Sequence, residues 1–105
     1  MTIISTVVLA ALRVHPTQML SRNELRALSG GSDRMIRAAI SELRRAGWLI
    51  VGDESGYRFA QNVEEVNQVI TSMERQARSL HEGMEVMREA ATLRFEQPIR
   101  SYEYQ

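Results

Sequence analysis

Cysteine is absent from this chain, which excludes disulfides, iron–sulfur clusters and thiolate zinc sites. Lysine is absent too, so all thirteen basic residues are arginine. Codon usage in a GC-rich genome is the plain explanation; the functional one is that arginine suits phosphate and guanine contacts. His15 and His81 lie far apart in sequence and share no helical metal spacing, so no metal is expected. Two prolines and six glycines in 105 residues argue against disorder. Long hydrophobic runs are also missing. The stretch from Ile3 to Leu12 is too short to span a bilayer, follows no basic residue and offers no clear cleavage site. A cytoplasmic chain with no membrane partner is therefore expected. No P-loop or dinucleotide fingerprint occurs, and no motif sets a nucleophile beside a base. An enzymatic role and a cofactor are not expected, and so small a domain leaves no sizeable cavity for a small-molecule effector.

Net charge is missing as well: thirteen acids balance thirteen arginines. The balance hides an asymmetry. Residues 1–60 hold eight Arg against five acids, a surplus of +3, and residues 61–105 hold five Arg against eight acids, a deficit of −3. A basic module joined to an acidic segment suits a nucleic-acid reader with an appendage, although +3 is weak enough that focused contacts and dimerisation must supply affinity.

What is present is ordered punctuation. Ile4, Val7, Val8, Ala11 and Leu12 step at helical spacing and predict a first helix packed against the next two. Ser21-Arg22-Asn23-Glu24 has the spacing of a capping box, and Leu25 and Leu28 give the helix it opens an inward face that stops at Gly30-Gly31. Ser32 caps a further helix, with Asp33 in its first turn at the positive end of the dipole. Met35, Ile36, Ala39, Ile40 and Leu43 face inward on that helix. Arg34, Arg37, Ser41 and Arg44 lie opposite, with Ala38 and Arg45 beside them, and Gly47 closes it. Beyond Gly47 the period shortens. Trp48-Leu49-Ile50-Val51 and Tyr57-Arg58-Phe59-Ala60 read as two strands joined by the loop Gly52-Asp53-Glu54-Ser55-Gly56. The expected core is Leu25, Leu28, Ile36, Ile40, Leu43, Trp48 and Phe59.

The run from Leu20 to Phe59 resembles the winged helix-turn-helix of the biotin-repressor and deoxyribose-repressor type, also common in small bacteriophage proteins. The resemblance rests on Ser21, Glu24 and Leu25, then Gly30-Gly31-Ser32, Arg34 and Arg37, Leu43-Arg44-Arg45-Ala46-Gly47 and Gly56-Tyr57-Arg58-Phe59. It covers about 40 residues, the module's own length. Gly31 departs from the pattern, standing where an aliphatic residue is usual, which implies a looser turn. The resemblance implies double-stranded DNA as partner and a recognition face on the second of the two helices. Arg34, Arg37 and Ser41 are the first candidates there, flanked by Ser32 and Ala38, with Arg44 and Arg45 toward phosphate. Arg22 and Asn23, at the start of the preceding helix, and Arg26 one turn on are candidates for holding a phosphate. Arg58 is the one basic residue of the hairpin and its candidate DNA contact; the tip carries Asp53 and Glu54, which the DNA backbone would repel, so readout dominated by the helix is expected.

A last helix starts at Asn62-Val63-Glu64-Glu65. Val63, Val66, Ile70, Met73, Ala77, Leu80, Met84, Met87 and Ala91 step by three and four alternately, the seam of a left-handed coiled coil. Such a helix is ~43 Å long at ~1.5 Å per residue, longer than a 60-residue domain can cover. The expected partner is a second copy of the chain; the alternative is a helix folded back on its own domain. Gln76, Gly83 and Ala90 flank the seam and permit close approach, with strand orientation left open. Phe95, Pro98, Ile99, Tyr102 and Tyr104 form a short aromatic tail.

The reading is thus mainly α with a small β-hairpin. Residues 1–61 are the winged domain, 62–96 the dimerisation helix and 97–105 the tail. The expected function is sequence-specific DNA binding as a homodimer, as a transcriptional regulator. A replication or recombination accessory and a winged-helix protein-interaction adaptor remain the alternatives.

Overall fold

The computed structural model describes residues 1–95; the expected tail residues Pro98, Ile99, Tyr102 and Tyr104 lie outside that range. The described chain is mainly helical with one small antiparallel hairpin. Its order is α1 (Ile3–Val14), α2 (Arg22–Ser29), α3 (Asp33–Arg45), β1 (Ile50–Asp53), β2 (Gly56–Phe59) and α4 (Val63–Phe95). Met1–Val69 forms one compact unit, and a second begins at Ile70. The first unit therefore takes in the opening turns of α4, beyond the boundary expected at residue 61.

Each helix of the first unit starts and stops for a local reason. Thr2, Ser21 and Ser32 are extended N-caps whose hydroxyls accept the N–H three residues on, satisfying an orphan amide each. At Ser21 only this half of the expected box forms among the described residues. The reciprocal box forms instead at Ser32, where the Met35 sulfur accepts the Ser32 N–H at 3.5 Å. Met35, expected in the core, is thereby folded back over the cap and is 50% exposed. Helix α2 ends at Gly30 in the left-handed region (φ 74°). Helix α3 ends in a Schellman turn: Gly47 has φ 99°, the Trp48 N–H reaches the Leu43 carbonyl and the Gly47 N–H reaches Arg44.

That turn shifts the first strand. Trp48 and Leu49 are used in leaving α3, with the Ile50 N–H turning back to the Trp48 carbonyl, so β1 runs over Ile50–Asp53 rather than residues 48–51. Ile50 pairs with Phe59 and Asp53 with Gly56. The expected five-residue loop shrinks to Glu54-Ser55, because the Asp53 carboxylate accepts the Ser55 N–H at 2.6 Å and closes the turn. Tyr57 exchanges both backbone hydrogen bonds with Leu20 (2.8 and 2.9 Å), which adds a one-residue third strand from the α1–α2 connection. Gly56 makes this possible. Its φ is 138°, and a Cβ there would stand 2.0 Å from the Leu20 carbonyl oxygen.

The core of this unit is Val8 and Leu12 from α1, Leu20, Leu25 from α2, Ile36, Ala39, Ile40 and Leu43 from α3, and Ile50. Trp48 and Phe59 are half-buried against it and stack at 5.9 Å between ring centroids. Leu28 is the exception to the expected core, at 60% exposed. The inward position one turn after Leu25 is taken by Ser29, whose hydroxyl donates to the Leu25 carbonyl and accepts from the Gly31 N–H. Gly31 does not loosen the turn. It is buried, and a Cβ on it would meet Ile4 Cδ1 at 3.1 Å, so the missing side chain admits α1. Ser5 is fully buried on α1 and donates to Glu42 of α3 at 2.6 Å. This polar tie crosses the helix pair within the otherwise apolar layer.

In contrast, α4 has no buried residue along its length. Asn62 caps it by accepting the Glu65 N–H. None of the described helices is long and apolar enough to cross a membrane.

Candidate nucleic-acid interface

Helix α3 carries its core residues on one side and its arginines on the other, because the residue types alternate at a period close to 3.6. Arg34, Arg37, Ala38, Ser41 and Arg45 are all exposed, as is the cap Ser32. The Ser32 hydroxyl oxygen is engaged by the Met35 N–H at 3.2 Å. Arg34 and Arg45 make no hydrogen bond or ion pair among the described residues.

Asp33 organises the start of this face. Its carboxylate lies 3.2 Å from Arg37 one turn on and 3.9 Å from Arg22 at the start of α2. Two arginines from different helices are thus brought around one acid. Both pairs are largely exposed, so each contributes at most about 1 kcal/mol to stability and exchanges readily with another anion. The Asp33–Arg37 pair was visible as an i, i+4 spacing, whereas the Arg22 contact depends on how α2 meets α3 and left no sequence signal. Asp33 itself, read only as a helix-start residue, is the site residue the sequence reading missed. Asn23 is exposed and accepts a long 3.4 Å bond from Arg26.

Two expected DNA contacts, one on α3 and one on β2, are committed elsewhere. Arg44 is half-buried, and its Nε donates to the Ile50 carbonyl at 2.9 Å, bracing α3 against β1. Burial pulls its guanidinium below the ordinary value, yet an arginine starts so high that it keeps its charge. Arg44 sits only about 40° from Ile40 around the helix at 3.6 residues per turn, which places it at the rim of the core. Arg58 is bound by Glu65 at 2.6 Å and by the Phe59 carbonyl at 3.0 Å, which ties β2 to the first turn of α4. Arg13, not among the expected contacts, lies over the Trp48 ring at 5.9 Å. The hairpin tip presents Asp53 and Glu54, both exposed.

Seven of the nine seam positions of α4 stay open. Val63, Ile70, Met73, Ala77, Leu80, Met84 and Met87 are exposed, Leu80 by 71%, while Val66 and Ala91 are half-buried. Among the described residues no three His, Asp or Glu side chains converge as a metal cage.

In comparisons with known proteins, no family model matched the chain, no curated protein was similar to it and no solved structure resembled it.

Proposed function

We propose that Leu20–Phe59 works as a winged helix-turn-helix and that the chain binds double-stranded DNA through α3 as a homodimer joined along α4. The supporting observation is the arginine face: Arg34, Arg37, Ser41 and Arg45 stand exposed on α3, opposite its buried side, with Arg22 of α2 drawn beside Arg37 by Asp33. Arg34 and Arg37, near the start of the helix, are placed for bidentate contacts to guanine, and the Ala38 methyl for a thymine methyl. Arg45 and Arg22 are placed for phosphate. A transcriptional regulator reading an inverted repeat follows from two such faces on one dimer, with half-sites about one helical turn or a multiple apart.

Mobility shifts with random and selected duplexes test the reading. Arg37→Ala should cost about 1–3 kcal/mol on the selected site and relax one base position. Arg45→Ala should weaken all sequences about equally and flatten the salt dependence by about one counterion. Asp33→Asn should strengthen binding to random duplex, because it frees two guanidiniums without adding charge elsewhere. Absence of binding at about 50 mM salt, near the low end of the range where phosphate contacts are strong, defeats the proposal.

One observation favours a second reading, a winged-helix adaptor for another protein. The hairpin tip is acidic, and its one arginine, Arg58, is held by Glu65. Replacing Asp53 and Glu54 by Asn and Gln would impair partner capture in that case and improve DNA binding in the first.

A further inference from the structure

The proposed pairing of two α4 helices leaves their direction open, and the residues flanking the seam carry information on it. With Ile70, Ala77 and Met84 at one seam row and Met73, Leu80 and Met87 at the other, the flanks are unequal. The row preceding Ile70, Ala77 and Met84 is Val69, Gln76 and Gly83, without a charge; the row following Met73, Leu80 and Met87 is Glu74, His81 and Arg88, each polar or ionisable. In a parallel pair the first row of one helix faces the second row of the other, so every flanking contact would set an uncharged residue against a polar or ionisable one. In an antiparallel pair like rows meet.

We infer that α4 pairs with α4 of a second copy antiparallel, centred between Ala77 and Leu80. In that register Ala77 faces Leu80 of the second copy, and Ile70 faces Met87 of the second copy. Small meets large at the centre, twice by symmetry, where a parallel pair would set Ala77 against Ala77 and leave a hole. On one flank Gln76 meets Gly83 of the second copy; on the other Glu74 meets His81 of the second copy, whose imidazole N–H can donate to the carboxylate. Gly83 is an independent indication. Glycine is the poorest helix former after proline, yet beyond its neighbours and the helix's own backbone the described chain leaves open space where a Cβ would stand, and its φ is not in the left-handed region. Nothing among the described residues requires a glycine there, whereas a closely approaching second helix accounts for one.

The antiparallel register sets the two Val63 ends about 46 Å apart along the axis at 1.5 Å per residue, whereas a parallel pair sets them side by side. The cysteine-free chain makes the direction directly measurable. Full-length Ile70→Cys and Met87→Cys, oxidised singly, should stay uncrosslinked, and an equimolar mixture of the two should give a covalent heterodimer. A nitroxide on Gln68→Cys, away from the seam, should report a separation near 32 Å along the axis (about 21 residues of rise). Crosslinking of either single-cysteine variant, or a short nitroxide separation in a dimer, overturns the orientation and leaves the dimer standing. A monomer by sedimentation of the unaltered chain at high micromolar concentration overturns both.

Discussion

The first unit and the long helix α4 are both patterned with apolar residues at helical spacing, yet they treat those residues oppositely. In Met1–Val69, apolar stripes on α1, α2 and α3 meet each other and the hairpin, and nine residues disappear into one core. On α4 an apolar stripe of similar regularity has no fully buried residue. Periodicity states that a helix has a side needing cover; it does not state what covers it. In the first unit the punctuation between the helices decides the matter. Gly30, Gly47 and the Leu20–Tyr57 bridge fold short helices back within a few residues, so each stripe finds another in the same chain. No such break interrupts α4 for 33 residues. Its partner must come from elsewhere or the stripe stays wet.

The sharpest test of this difference substitutes one leucine in each region. Leu43 is fully buried among α1, α3 and β1 neighbours, and Leu43→Ala should lower the stability of the first unit by about 2–5 kcal/mol, read from denaturant unfolding. Leu80→Ala should leave that transition where it is at low concentration and weaken only the concentration-dependent association that the proposed dimer requires. Equal losses from both at nanomolar concentration would mean that α4 shares the core's stability, and the contrast between the regions would collapse.

The hydrogen bond inside the first unit offers a smaller effect with a pH signature. The Ser5 hydroxyl, donating to Glu42, is the leading reason that carboxyl titrates below its ordinary value. A carboxyl whose folded value is depressed adds stability above its unfolded value, and that stability is lost as pH falls through the folded one. Ser5→Ala should therefore destabilise the unit at neutral pH and progressively less as the solution is acidified below the ordinary carboxylate range. A penalty that is the same at pH 7 and pH 3 would assign the effect to packing around the buried hydroxyl instead.

Much of the fold was legible because it is written in local rules. The serine caps, the left-handed glycines after α2 and α3, and the inward residues Val8, Leu12, Leu25, Ile36, Ile40 and Leu43 each depend on neighbours within a turn or two. The failures share a different origin. Leu28 and Met35 are apolar at helical spacing but sit at the edges of their stripes, where Ser29 and the Ser32 cap compete for the same space. The first strand moved by two residues because the Schellman turn after α3 takes up Trp48 and Leu49, and the second begins one residue early, at Gly56. Ser5 gave no hint of burial, since its partner Glu42 lies 37 residues away. The candidate site divides in the same manner. The exposed arginines of α3 follow from periodicity, whereas the engagement of Arg44 by Ile50, of Arg58 by Glu65 and of Arg22 by Asp33 arises only when elements meet.

The smallest predicted effect is the one that best separates a helix waiting for a partner from a helix that is merely exposed. Gly83→Ala adds a methyl group where the chain itself has open space. In the isolated helix this should raise local stability by about 0.5–1 kcal/mol, because glycine loses more backbone freedom than alanine on becoming helical. Helicity at low concentration, followed by circular dichroism, should rise accordingly. If Gly83 lies at the closest approach of two helices, the same methyl group pushes them apart, and the association constant from sedimentation should fall while the helicity of the monomer rises. The two measurements then move in opposite directions, which no effect on helix propensity alone can produce. Association that strengthens in step with helicity would place Gly83 outside the contact, and the seam would have to be covered without it.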